Sequence, residues 1–396
     1  MSRSRTILIA GAGIGGLVLA LALVAKGFRV TLLEQTERLD DGGAGIQVSP
    51  NATQILIDLG LGPALSSIAF APEAIRVLSG PSANELVRLP LGQAAAFRYG
   101  FPYWVIHRGD LHSALLKAVR SSANIALRLG TRVEDFAIHS RGVTVQAWTR
   151  SKPVEEQGIA LVGADGVWST VRARLGDAEG PRFGQRTAWR ALVPASAVSE
   201  EQRQPVTSLW LGPNAHLVHY PVRAGKWINI VAIVEDAWHQ IGWNQPGARS
   251  EIMSRFAGWA SEAQALLATP PDAWSKWALY DHAPLRRWSR GPITLMGDAA
   301  HPMLPFLAQG GAMAVEDAAV LARCLAKAPE DPPAALRAYE GLRRFRTARV
   351  VRHARRLGTI YHLAGPAAIV RNLTLIATGG QGLLASYDWL YDWRMS

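Results

Sequence analysis

Gly11, Gly13 and Gly16 stand in the spacing G-x-G-x-x-G, and the residues around them supply the context that such a spacing needs. Thr6–Ala10 reads TILIA, a short apolar run rich in β-branched residues and expected as a buried strand. An apolar helical run follows to Ala25, where Gly27 stops it, and Arg29–Leu33 reads as a second strand ending at Glu34. In such a βαβ unit Gly11 permits the tight turn, Gly13 lets the backbone approach a pyrophosphate, and Gly16 lets helix and strand pack closely. The pyrophosphate sits at the helix N-terminus, where free N–H groups and the helix dipole favour an anion. Glu34, 23 residues after Gly11, is placed for ribose hydroxyls. Its charge disfavours a 2′-phosphate, so the dinucleotide read here is FAD or NAD and not NADP.

Four further segments carry groups that could act on a ligand. Gly42 to Ala52 reads GGAGIQVSPNA, a flexible loop, a short strand holding Gln47, and a helix from Asn51, which suits a long, bent cofactor. His107-Arg108-Gly109-Asp110-Leu111 precedes a helix over 111–119, with Asp110 as its N-cap and Arg108 within reach of a phosphate. An apolar strand stops at Asp165-Gly166, with Ser169 and Arg172 in the helix beyond. Another stops at Gly297-Asp298, and its loop carries Pro305 and Gly310-Gly311 before a helix over 312–325. Ligands in open α/β sheets bind at strand C-terminal ends, which places Asp165 and Asp298. The start of the last helix, at Gly311 and Ala312, offers N–H groups to a developing negative charge. No second G-x-G-x-x-G follows a strand.

The region between the Asp-Gly and Gly-Asp turns has a different texture. Trp210 and Leu211, residues 216–220 (HLVHY) and residues 227–234 (WINIVAIV) read as strands of an antiparallel sheet. In an extended strand His216 and Tyr220 share a face and His219 points away.

The elements that position these groups follow from the bulk of the chain. With 396 residues, two domains or more are expected, and 49% hydrophobic with 18% charged residues suits a globular enzyme rather than a disordered chain. The single cysteine, Cys324, lies in a helical apolar pattern and reads as a buried structural thiol; it fits a reducing, cytoplasmic compartment and leaves no thiolate metal cluster to be built. The net charge of +11 raises nucleic-acid binding as an alternative. The arginines are scattered, however, except between Arg343 and Arg356, where Arg349, Arg352 and Arg356 share one helix face that reads as solvated. The apolar run near the N-terminus is split by GAGIGG and lacks a cleavage-site pattern, so it is not read as a signal peptide, and no membrane span is expected.

Taken in this order, GAGIGG with Glu34, Asp165-Gly166 with Ser169 and Arg172, and Gly297-Asp298-Ala299-Ala300-His301 resemble the group A FAD-dependent aromatic hydroxylases, over roughly residues 5–325. GGAGIQVSPNA and HRGDLH bring the chain nearest to the salicylate, 3-hydroxybenzoate and 6-hydroxynicotinate hydroxylase branch. The resemblance implies an α/β fold: a Rossmann-type FAD-binding domain over 1–75, 101–180 and 282–328, an inserted, mainly antiparallel substrate sheet over 76–100 and 181–281, and a C-terminal helical region over 329–396. There 329–333 is a linker, 334–357 a long helix, and the tail with Tyr387, Trp389, Tyr391 and Trp393 packs back on the body. It further implies that Gly11, Gly13, Gly15, Gly16, Glu34, Gln35, Gln47, Arg108, Asp165, Asp298, Gly311 and Ala312 surround FAD. Glu34 takes the adenosine ribose, Arg108 the flavin or pyrophosphate, and Asp298 the ribityl-pyrophosphate. Asp165 shapes the cofactor and nicotinamide region, and Gly311 and Ala312 present backbone to the flavin ring.

The activity implied is hydroxylation of a phenolic or amino-aromatic carboxylic acid with NADH or NADPH and O2, through a flavin C4a-hydroperoxide. His216 is the base, Tyr220 hydrogen-bonds the substrate, and Gln47 and Pro305 lie beside it, with the Pro305 carbonyl as an acceptor. A phenol ionises near pH ~10 and a free histidine near ~6.5, so a neutral His within reach of the hydroxyl can take its proton and make the ring nucleophilic. Gln47 stands where the 6-hydroxynicotinate enzymes have a His, which turns the reading away from that substrate. The resemblance also implies a homodimer. Alternatives on the same fold are a halogenase, a reductase, or a non-carboxylate or N-heterocyclic substrate; the Trp-x-Trp-x-Ile-Pro segment of such halogenases is missing at Trp189-Arg190-Ala191-Leu192-Val193-Pro194.

Overall fold

A computed structural model describes residues 5–39, 43–150, 152–176, 179–240, 242–271 and 274–395. Gly42, the first residue of the second glycine-rich loop, lies outside the described residues. The fold is α/β, with a Rossmann-type unit, a large mainly antiparallel sheet and C-terminal helices.

Thr6–Ala10 is the central strand of a five-stranded parallel sheet in the order Ile293–Leu295, Ala160–Gly163, Thr6–Ala10, Arg29–Leu33, Ile125–Arg128. Its residues are apolar on both faces because helices cover both, so alternation gives way to a continuous buried run. Since neighbours are parallel, their C-terminal ends lie side by side. Asp298, Asp165, Gly11 and Glu34 therefore emerge along one edge, although 287 residues separate the first from the third in sequence. This strand order is what assembles the cleft.

Gly45–Val48 and Trp104–His107 form a two-stranded ribbon beside that edge. An eight-stranded sheet runs Asn244–Gly247, Trp274–Asp281, Arg182–Pro194, Trp227–Glu235, Ala215–Val222, Val206–Gly212, Ala74–Ser79, Glu85–Pro90. Its neighbours are antiparallel except for Val206–Gly212 against Ala74–Ser79. One face carries Trp189, Leu217, Ile230 and Val234 onto a core closed by Phe256 and Trp259. His219 belongs to that face, where the Trp210 indole donates to its Nδ1 at 3.3 Å. The other face carries Ala188, Tyr220 and Ile233 and is covered by the C-terminal helices.

Several helices run beyond their expected bounds, among them the one expected over 312–325, which spans Gly310–Lys327. The helix expected over 111–119 runs from Arg108 to Arg120, with His107 at its N-cap. Asp110 is not the cap. It sits in the first turn, where it favours the dipole, and it accepts from Arg223 at 2.8 and 3.0 Å. The long helix begins at Pro332 and not at 334, since proline is tolerated in a first turn and Asp331 caps it by accepting from the Ala334 N–H. It ends at Tyr361, and a second helix, Gly365–Ala385, crosses the sheet edge so closely that a Cβ on Gly380 would lie 1.9 Å from the Arg88 carbonyl oxygen. Among the described residues no helix is long and apolar enough to cross a membrane.

Candidate active site

The glycine turn is fixed by contact distances. Gly11 has φ +101°, and a Cβ there would lie 2.5 Å from the Ala164 carbonyl oxygen; on Gly16 it would lie 2.0 Å from that of Gly11. Neither position admits a side chain. Gly13 differs, because a Cβ there would meet nothing within 4 Å. The open space over its backbone, at the start of an eleven-residue helix with no side-chain cap, is what a pyrophosphate needs. Gly15 works on the packing side, its α-carbon turned toward Ala314 and Met296.

Glu34 is 9% exposed. One oxygen accepts from the Ala12 N–H at 2.8 Å, the other from the N–H and hydroxyl of Thr36 at 2.9 and 3.0 Å. A carboxylate offers about four acceptor positions, so one remains to meet a ribose hydroxyl. Gln35, next along the chain, is exposed beside it. Replacing Glu34 by alanine should weaken FAD binding roughly ten- to a hundredfold, the loss of a hydrogen bond to a charged group. Flavin fluorescence recovered on dilution measures this, and an unchanged affinity would remove Glu34 from the cofactor site.

Asp298 and Arg108 are near enough for the arginine's charge to act on the carboxyl. Asp298 lies deep in the molecule yet has an accessible side chain, the combination found in a cleft wall. Burial raises its carboxyl pKa, while His301 and Arg108 pull it down. The backbone N–H of Arg108 donates to the Ala44 carbonyl at 3.0 Å, and Gly43 lies against its side chain. Gly311 and Ala312 open the Gly310–Lys327 helix on the same cleft, with Ile46 against Gly311 and no side-chain cap on the first N–H groups. Asp165 closes its own turn. One carboxylate oxygen accepts from the Ser169 hydroxyl at 2.5 Å and the other from the Val171 N–H at 3.1 Å, so its side chain holds its own turn at the cleft floor. Arg172 donates to the Ala299 and Ala283 carbonyls at 3.2 and 3.0 Å and ties that turn to the Gly-Asp turn.

Beneath the cleft lies a buried ionic hub absent from the sequence reading. Asp317 accepts from Nε2 of His301 at 2.5 Å, the Gly297 N–H at 3.0 Å and Nε of Arg343 at 2.6 Å. Glu316 accepts from Arg343 at 2.6 Å, Arg346 at 2.7 Å and the Asn51 amide at 2.7 Å. Gln309 bridges Ser49 and Asn51. The Gly-Asp turn, the loop before Asn51 and the start of the 310–327 helix thus meet on one arginine, which is 1% exposed. Arg349, Arg352 and Arg356, by contrast, are exposed as expected. Cys324 is buried, and burial raises its thiol pKa. The aromatic tail packs back, with Arg349 3.9 Å from the Trp389 ring centre.

Over the covered face of the large sheet lies a cavity of about 800 Å3, whose wall includes Gln47, Tyr103, Leu209, His216, Pro305 and Tyr361. Arg356 and Arg371 also line this wall. Three of the substrate-side residues are therefore together: His216, Gln47 and Pro305. The Pro305 carbonyl already accepts from the Ala308 N–H at 3.0 Å, closing a short turn. Tyr220 shares the His216 face but lies under the ribbon, so near Gly45 that a Cβ there would sit 2.7 Å from its hydroxyl. Tyr103, which no spacing singled out, donates to Gln47 Oε1 and orients it in the wall. His216 is buried, and burial, then His362 and Arg186, hold its imidazole pKa well below the usual value, so it is neutral. Its ring centre lies 5.4 Å from that of Phe306, on the loop that leads from Asp298 to the 310–327 helix.

Comparison with known proteins adds to this geometry. The family model described as FAD binding domain matches residues 4–354. The 3-hydroxybenzoate 6-hydroxylase of Polaromonas naphthalenivorans is 37% identical over 98% of this chain and 96% of its own length. A 3-amino-4-hydroxybenzoate 2-monooxygenase of Streptomyces platensis is 38% identical over 98% of this chain and 96% of its own. Among solved structures, a salicylate hydroxylase in complex with its substrate superposes with a TM-score of 0.83 at 27% identity, covering 100% of this chain and 97% of that one.

Proposed function

The chain belongs to the FAD binding domain family and is an FAD-dependent aromatic monooxygenase, and on that premise we propose that it hydroxylates a phenolic or amino-aromatic carboxylic acid of the salicylate or hydroxybenzoate kind, using NAD(P)H and O2. The reaction balances as ArH + O2 + NAD(P)H + H+ giving ArOH + NAD(P)+ + H2O. One observation carries the reading. The neutral, buried His216 faces a cavity beside Phe306, on the loop that also bears Asp298, so a proton acceptor and the dinucleotide cleft share one support.

The residues present fit FAD: an open glycine turn, a ribose-side carboxylate with one acceptor position left, and an uncapped helix start facing the cleft. When bound, FAD reduced by NAD(P)H and exposed to O2 supplies an electrophilic oxygen. Gly13 and the first helix would hold the pyrophosphate, Glu34 the ribose, and Asp298 with Arg108 the chain toward the ring. The uncapped N–H groups at Gly311 and Ala312 would offer hydrogen bonds to negative charge on the flavin ring. His216 takes the phenol proton at Nε2, which raises electron density on the aromatic ring. The apolar wall keeps water from the reacting atoms. Asp165 supports the cleft floor through its turn.

A panel of hydroxy- and aminobenzoates, tested by stopped-flow flavin reduction, decides the matter. A true substrate should speed NAD(P)H oxidation and give a hydroxylated product; a panel that yields only peroxide overturns the reading.

A further inference from the structure

His216 does not stand alone. Its Nδ1 lies 2.9 Å from Nε2 of His362, the residue that closes the Pro332–Tyr361 helix. Nδ1 of His362 is buried with no hydrogen-bond partner among the described residues, and it points at Glu235 Oε1, 3.5 Å away. Glu235 ends the Trp227–Glu235 strand and is 46% exposed, so a small rotation closes that distance. The Asn214 N–H donates to the His362 carbonyl at 3.2 Å, pinning this residue to the turn that leads into the His216 strand.

Resting on the hydroxylase reading, we infer that His362 and Glu235 form a relay that sets the tautomer of His216 and carries the substrate proton from the buried cavity to solvent. A carboxylate only accepts, so Glu235 requires a proton on Nδ1 of His362. The bare Nε2 of His362 then accepts from Nδ1–H of His216, which leaves the Nε2 lone pair of His216 turned to the cavity as the base. When the phenol O–H bond breaks, its proton joins His216 Nε2. The Nδ1 proton of His216 passes to His362 Nε2, the Nδ1 proton of His362 passes to Glu235, and the acid loses it to water. No electrons change hands.

Other groups surround the pair. Arg186 approaches from the Arg182–Pro194 strand, 3.5 Å from Glu235, and its charge works against protonation of both imidazoles. Arg371 approaches from the 365–385 helix with the same sign, and Tyr361 and Phe306 supply rings only. Glu235 is the acidic group that faces His362 and works the other way.

The test uses holoenzyme labelled with 15N-histidine, with ring tautomers read by long-range 1H–15N correlation. His216 and His362 should both carry their proton on Nδ1, and Glu235→Ala should release His362 into mixed tautomers, with Glu235→Asp restoring it. With 3-hydroxybenzoate as probe, Glu235→Ala and His362→Phe should lower the hydroxylation rate about tenfold near neutrality and move the pH profile, with KM and flavin reduction unchanged. Unaltered tautomers in Glu235→Ala, or a proton on Nε2 of His362 in the wild type, overturn the relay. If no aromatic acid drives NAD(P)H oxidation, the functional reading fails while the tautomers still decide the relay.

Discussion

Replacing Arg343 by methionine should destabilise the holoenzyme by about 3–5 kcal/mol, the cost of removing one partner from a buried ion pair. Two carboxylates depend on this guanidinium, and neither is exposed. Glu316 keeps Arg346, and Asp317 keeps His301 and the Gly297 N–H but no other arginine among the described residues. Burial pushes the Asp317 carboxyl up, yet His301 and Arg343 outweigh this and hold it well below the usual range. A depressed carboxylate stabilises the fold above its unfolded pKa of about 3.9, and that contribution is lost as pH falls through the lower, folded value. In the variant Asp317 becomes a less compensated buried charge that protonation relieves. The gap between wild type and Arg343→Met should therefore be widest near neutrality and narrow on acidification. Because the chain has more than one core, thermal midpoints followed by circular dichroism and by flavin release serve better than a two-state free energy. Flavin should be lost early in the variant, since the hub anchors the Gly-Asp turn and the 310–327 helix start together. A methionine variant with unchanged midpoints at neutral pH would show that the hub is only packing.

Local spacing made the cleft legible. Gly11, Gly13, Gly16 and Glu34 lie within one βαβ unit, and Asp298 ends a strand that the parallel order places near them. His216 and Tyr220 share a face because strand periodicity says so, but periodicity does not say what lies above that face. Tyr220 therefore proved to sit under Gly45 while Tyr103 reached the cavity. The hub was not legible, because Arg343 is 27 residues from Glu316 and 26 from Asp317 and lies in an arginine-rich stretch whose neighbours are solvated. Helical spacing ranks faces of one helix; it cannot tell that Arg343 turns inward while Arg349 turns out. His362 escaped for a related reason, since its meaning depends on two partners 146 and 127 residues away. Asp110 misled because capping preference identifies a residue type, and here the helix starts three residues earlier than expected, at Arg108, with its acid engaged by Arg223.

Changing His216 to asparagine should lower hydroxylation at neutral pH by roughly 10²- to 10⁴-fold, the usual worth of a positioned general base. The direction of its pKa shift explains why the loss should be specific. Burial, then His362 and Arg186, disfavour the imidazolium, so wild-type His216 is ready to accept a proton throughout the neutral range. Asparagine fills similar space and still hydrogen-bonds, but it cannot take the proton. Flavin reduction by NAD(P)H should continue, because the cleft residues Glu34, Arg108 and Asp298 are untouched, and the reducing equivalents should emerge as peroxide. The deficit should also depend on pH in a defined sense. A free phenol ionises near pH ~10, so raising the pH supplies the phenolate without a base and should bring the variant back toward wild type. Product measured by chromatography, peroxide measured in parallel, and both followed from pH 6.5 to 9.5 give the comparison. A structural role for His216 predicts a loss that does not recover with pH and that extends to flavin reduction. Hydroxylation at the wild-type rate near neutrality would exclude His216 as the base and move attention to Tyr103 with Gln47, a hydrogen-bonded pair in the cavity wall.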